Sequence, residues 1–270
     1  MRRLGQIAMT AGAALLLVGA EAGWSQEVSP GGSRIHRYDG HQHQFRAPVS
    51  EAEHVADIEK ALKPYLGEHY VYHELESDKV HIDVLVFRPT ATRANWTFVT
   101  SGMSDLPMHV PQDVERAENY RFAELVIAVP ARWFSADDKG MIPEAELKDY
   151  EKFWPVALLK FLARFPHEYD TWLWEGHSMP NGNPATPYAD GTKLSGIVLS
   201  PLSGWPEQYW SVTMSDGRNV PLFAVVPVYD DEMALKLEKG FDALDQAFLY
   251  YGISEVLHQG RSSVAAELAR

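Results

Sequence analysis

The stretch that most constrains this chain is residues 79–89, KVHIDVLVFRP. Val80, Ile82, Val84 and Val86 recur every second residue, the side-chain period of a strand. Leu85 and Phe87 point the other way, so the end of this strand is apolar on both faces and needs a covering layer on each side. Two more apolar runs follow, at 96–100 (WTFVT) and 123–130 (AELVIAVP), after a Gly- and Pro-bearing loop at 101–108 (SGMSDLPM) is set between them. Three such runs in succession predict one sheet on which the rest of the chain packs.

The flanking segments supply the layers. Residues 50–66 read as a helix with Ser50 as N-cap, Glu53 three residues on, and Pro64 and Gly67 at its end. Residues 70–75 (YVYHEL) read as a strand that Ser77-Asp78 turns into 79–89 as a hairpin. Residues 144–165 carry an apolar stripe of Leu147, Tyr150, Trp154, Leu158, Phe161 and Phe165, with Pro155 expected to kink or divide the helix. Candidate strands at 193–199, 208–214 and 220–228 follow, the last two joined by Ser215-Asp216-Gly217 as a tight turn. Pro227 places a sheet edge or a strand end at the last of them. Residues 230–251 predict one long helix that Asp230 caps and Gly252 ends. The expected fold class is α+β, a mostly antiparallel β-sheet with flanking helices.

The N-terminus reads as an export signal. Arg2 and Arg3 precede the apolar run 7–20, and Ala20-Glu21-Ala22 has the form of a cleavage site. The run is shorter than the ~20 residues a membrane span needs. The expected organisation is therefore a signal peptide at 1–22, a flexible leader at 23–48, a folded domain at 49–252 and a frayed tail at 253–270. The destination is the periplasm or beyond, with no membrane span after signal cleavage. The chain has no cysteine, which excludes disulfides, thiol nucleophiles and thiolate metal sites. Its formal charge is −13. Removing 1–22 takes away two arginines and one glutamate, so the mature chain carries −14. Such a charge repels phosphate backbones, which argues against nucleic acid, and steers basic partners inward.

Catalytic motifs are missing. No Gly-x-Ser-x-Gly elbow, His-Glu-x-x-His zinc helix, phosphate loop or dinucleotide fingerprint is present. His36, His41 and His43 lie close together without a carboxylate at a defining spacing, so neither metal nor cofactor is expected. The long irregular stretch 166–190 draws attention instead, because loops of this length are commonly functional or disordered. Trp172 and Trp174 share a face if the chain is extended there. They either line a binding groove or seal one end of the core.

Five segments taken in order resemble the suppressor-of-fused family. They are 81–84 (HIDV) leading to Pro89-Thr90, 98–108 (FVTSGMSDLPM), 123–130, 175–183 (EGHSMPNGN) and 223–232 (FAVVPVYDDE). The resemblance implies an α/β domain that binds proteins and catalyses nothing. Animal relatives clasp a short peptide of a transcription factor, and bacterial relatives are grouped with immunity proteins of toxin systems. A toxin-neutralising role in the cell envelope is one form this could take here. A peptide would add to a sheet edge, with two loops as the rim. The candidate partner-binding residues are Thr100, Gly102, Met103, Ser104, Trp172, Trp174, Gly176, His177 and Gly182. Gly102 and Pro107 also suit simple turn geometry. The alternatives are a hydrolase in which His177 converges with Glu175 or Asp170, and a structural envelope protein with a large exposed apolar patch.

Overall fold

A computed structural model describes residues 27–38, 54–74 and 79–269. The expected signal peptide, His41, His43, the Ser50–Glu53 cap and the turn at Ser77-Asp78 lie outside these residues. Eight strands form one sheet: β1 (His69–Tyr72), β2 (Asp83–Phe87), β3 (Asn95–Ser101), β4 (Glu124–Pro130), β5 (Ser178–Pro180), β6 (Gly196–Ser200), β7 (Ser211–Thr213) and β8 (Asn219–Val228). Their order across the sheet is β1-β2-β3-β4-β8-β6-β5, with β7 paired to β8. All pairings are antiparallel except β4 with β8, which run parallel over Glu124–Val126 against Leu222–Ala224. The fold is α+β, as the patterning predicts.

The two-faced strand behaves as its sequence requires. Val80, Ile82, Val84 and Val86 join one core layer with Trp96, Phe98, Leu125, Ile127 and the helix α3 (Tyr150–Glu168). Leu85 and Phe87 join the other, under α1 (Val55–Leu66) and the helix α5 (Phe241–Tyr251). Every residue of β2, β3 and β4 is buried. The turn Ser215-Asp216-Gly217 joins β7 to β8 as read from the sequence, with Gly217 at φ 87°. Pro227 is the next-to-last residue of β8 and faces Ile197 of β6, past the last β8 residue that pairs with β4, so it sits at the strand's end and where β8 pairs on one side.

The largest differences from the sequence reading lie in two helices and in the C-terminal segment. The helical stretch at 144–165 divides at Lys148–Asp149 into α2 (Glu144–Leu147) and α3, because the Asp149 carboxylate caps a new helix by accepting from Glu151 N. Pro155 sits buried inside α3, and the helix runs through it without dividing. Phe161 and Tyr150, placed on the apolar stripe, are exposed. The helix at 230–251 divides at Gly240 into α4 (Asp230–Lys239) and α5, where Gly240 adopts φ 90° and ψ 168°. A phase-matched stripe runs across this break, which hid it.

The third difference is the C-terminal segment, which is docked. Ala128 N donates to Glu255 O (2.8 Å) and Leu257 N to Ala128 O (2.7 Å), so residues 255–257 pair with β4 beyond the point where β8 leaves it. Arg261 holds Glu232, which has no exposure, through Nη1–Oε1 (2.5 Å) and Nη2–Oε2 (2.6 Å). The helix α6 (Val264–Leu268) then buries Val264.

Candidate functional site

The loops after β3 and after α3 meet at one end of the sheet. His167 Nε2 donates to Met103 O (2.9 Å), and His109 N donates to Thr171 O (2.9 Å). Burial holds the His167 pKa below its ordinary value, so the neutral imidazole is the donor.

The first loop is closed. Thr100, Gly102, Met103 and Ser104 are all buried. They surround Glu124, whose carboxylate opens β4 with no exposure. Oε2 accepts from Thr100 Oγ1 (2.5 Å), and Oε1 accepts from Gly102 N (3.1 Å), Ser104 N (2.9 Å) and Ser104 Oγ (2.7 Å). Burial pushes the Glu124 pKa up, against the pull of these four donors. Gly102 lies at φ 118°, and a Cβ there would sit 1.9 Å from His81 O. The expectation that these four residues form a partner rim is corrected by their burial. The Thr-Ser-Gly-Met-Ser run is a cradle for one internal carboxylate.

The second loop is open. Trp172, Trp174, Gly176 and His177 are half-buried. Tyr120 meets Trp174 edge-on at 4.9 Å and Trp172 at 5.8 Å, while Trp174 rests on Phe223 (4.8 Å). The tryptophans pack on Tyr120 and Phe223 at this end of the core and stay half-buried. His177 stands edge-on to Trp172 at 4.5 Å. Burial first, then the charge of Lys236, bring its pKa down to about 4. Neither Glu175 nor Asp170 engages this imidazole among the described residues. Glu175 has its pKa raised by burial and by Asp245 and Asp242, and Asp170 lies 4.0 Å from Lys79 Nζ. Gly182 is exposed in a turn beyond the far end of β5 and does not share this patch. The acid–base pair expected of a hydrolase is not assembled.

With this geometry in place, the family can be read. Residues 78–262 match the family model of Suppressor of fused protein (SUFU). The chain belongs to the suppressor-of-fused family. A crystal structure of a SUFU homologue from Neisseria gonorrhoeae FA 1090 is similar to it, at 15% identity and a TM-score of 0.55, over 78% of this chain and 97% of the other. The crystal structure of a Sufu–Fu complex is similar at 14% identity and a TM-score of 0.53, over 82% and 95%. These likenesses establish the fold. No curated protein matches the chain.

Three features of this suppressor-of-fused domain escaped sequence reasoning. Arg218, after the β7–β8 turn, donates to Ser104 O (2.6 Å) and to His54 Nε2 (2.7 Å). Since arginine only donates, the His54 proton sits on Nδ1, facing Asp57 Oδ2 at 3.0 Å. Asp83, in the HIDV segment, accepts from Glu74 N (2.9 Å) and meets His73 Nδ1 (2.9 Å) and His81 Nε2 (2.8 Å). Glu74 in turn holds Lys160 Nζ (2.7 Å) and Arg164, pinning the β1–β2 hairpin to α3. Among the described residues no group of His, Asp and Glu is arranged to hold a metal ion. The available signal was a carboxylate inside an apolar strand, at Asp83 and at Glu124. Each must find buried donors.

The third feature is residues 27–38, read as flexible leader. Val28 and Arg34 form an antiparallel bridge, with Ile35 N donating to Glu27 O (2.8 Å), so this stretch turns back on itself. Gly31 N donates to Leu237 O (2.8 Å), and Tyr38 reaches Thr171 Oγ1 at 2.7 Å. The segment therefore spans from the α4–α5 break to the start of the second loop. No described helix is long and apolar enough to cross a membrane.

Proposed function

We propose that this chain is a non-enzymatic protein-binding domain of the cell envelope that recognises its partner through the open loop around Trp172. The observation that carries the reading is the contrast at this end of the sheet: half-buried indoles packed on Tyr120 and Phe223 beside a histidine that has lost its basicity. Tryptophan supplies large contact area at little entropic cost and is enriched among residues that dominate binding. A histidine with its pKa near 4 is neutral at physiological pH and poorly placed to serve as a general base. Family membership supports the same reading, as does a similar protein solved in complex with Fu. The partner is a protein or peptide, favoured by positive charge against a chain of −13. Export by residues 1–22, and neutralisation of a toxin outside the cytoplasm, complete the proposal.

The test is capture of a partner from the producing cell by the mature chain, residues 23–270. Trp172→Ala should lose the captured protein while the fold persists. Turnover of a generic ester, peptide or phosphate substrate that vanishes in His177→Ala would overturn the reading. N-terminal sequencing of the mature protein tests export, and a start at Met1 would refute it.

A further inference from the structure

Residues 27–38 are attached to the domain by three contacts spread along the segment. At Gly31 the backbone lies so close to the α4–α5 break that a Cβ would stand 2.3 Å from Gly240 N, so only glycine fits. Three residues later, Arg34 Nη1 donates to Asp113 Oδ2 (2.8 Å). Four residues after that, the Tyr38 hydroxyl meets Thr171 Oγ1, and its ring stands edge-on to Phe165 (5.1 Å) and Tyr169 (5.4 Å). Little of the segment is buried. Ser29 alone among these residues is, and Tyr38 remains 40% exposed. The aromatic shelf also continues past Tyr38, where Phe161 lies 5.8 Å from Phe165 and is 44% exposed.

A segment held by surface contacts on a partly filled aromatic shelf has the form of a replaceable occupant. We propose that this face, from Gly240 past Asp113 to Thr171, is a peptide-docking surface that the chain's own N-terminal segment fills in cis. The partner it fits is a segment with the same anchors: a glycine, a cation at i+3 and a tyrosine at i+7. This deepens the protein-binding reading and rests on it. The cation meets the Asp113 carboxylate, in keeping with the chain's charge of −13. An occupant tethered in cis has an effective concentration on the order of millimolar, so a partner must bind the bare surface well to displace it.

The test titrates a labelled peptide of residues 27–38, EVSPGGSRIHRY, into the full-length chain and its Tyr38→Ala and Arg34→Ala variants, read by anisotropy. The expected result is at least tenfold tighter binding to Tyr38→Ala than to the unaltered chain, a smaller gain for Arg34→Ala, and loss of binding when the peptide's own tyrosine is replaced by alanine. Equal affinity for all three chains, or no binding to any at millimolar peptide, overturns the proposal. So does dimerisation of Tyr38→Ala in place of peptide binding, which would assign the surface to a second copy. A partner captured by Tyr38→Ala that stays bound in excess peptide would sink the docking surface and leave the protein-binding reading standing.

Discussion

The loop after β3 and the loop after α3 leave the same end of the sheet, and each carries a short glycine-punctuated motif, yet one is sealed and the other open. The difference lies in what each encloses. Thr100, Gly102 and Ser104 converge on a carboxylate that has no exposure, and together they give it four hydrogen bonds. Around Trp172 and Trp174 the neighbours are rings: Tyr120, Phe223 and the His177 imidazole. Those side chains pack by area alone and keep part of their surface outside. A polar motif turned inward is committed to stability. An aromatic one left at the rim remains available to a partner.

The largest expected effect breaks the sealed loop. Glu124→Ala would strand four buried donors and should cost about 3–5 kcal/mol in urea unfolding, with partner capture lost only because the fold is lost. Glu124→Gln sharpens the same point through pH. Because burial raises the folded pKa of Glu124 above its unfolded value, the folded state takes up the proton first. The stability from this group is then full below the ordinary glutamate pKa and falls as pH rises through the raised one. The unaltered chain should therefore gain on Glu124→Gln as pH is lowered across that window, and a constant difference would refute the raised pKa. Next in size, Gly102→Ala combines a φ of 118° with a Cβ 1.9 Å from His81 O and should cost about 3 kcal/mol by thermal or urea unfolding.

The open loop should answer differently. Trp172→Ala is expected to cost only about 2 kcal/mol, less than a fully buried indole, while removing partner capture. A loss of stability equal to that of Glu124→Ala would erase the contrast. The smallest effect belongs to Gly182→Ala, at about 1 kcal/mol for a glycine at φ 92°, with no change in capture, because Gly182 stands apart from the patch.

The two-faced strand at 79–89 and the β7–β8 turn were legible because period and turn chemistry are local properties. The division at Gly240 was not, since Leu237 and Phe241 keep helical spacing across it and nothing local marks a glycine as positive in φ. The roles of Thr100 and Ser104 were invisible for a different reason. Their motif was singled out as a partner rim, but whether a hydroxyl faces solvent or a buried carboxylate depends on β3 and β4 lying side by side. Residues 27–38 were read as loose because they lack periodicity, and 253–270 because a short amphipathic stretch at a terminus commonly frays. Both are held by partners far away in sequence, Gly31 by Leu237 and Val256 by Ala128, and single backbone contacts leave no trace in hydrophobic patterning.

The parallel junction between β4 and β8 has a consequence in time. It spans three residue pairs, and beyond it β4 is completed by Val256, near the end of the chain. A ribosome adding roughly 5–20 residues per second would leave that edge bare for roughly 6–25 s after Ala128 is made. Until residues 255–257 are made, the sheet has a gap beside Ala128, so its closure waits on a segment far along the chain from β4.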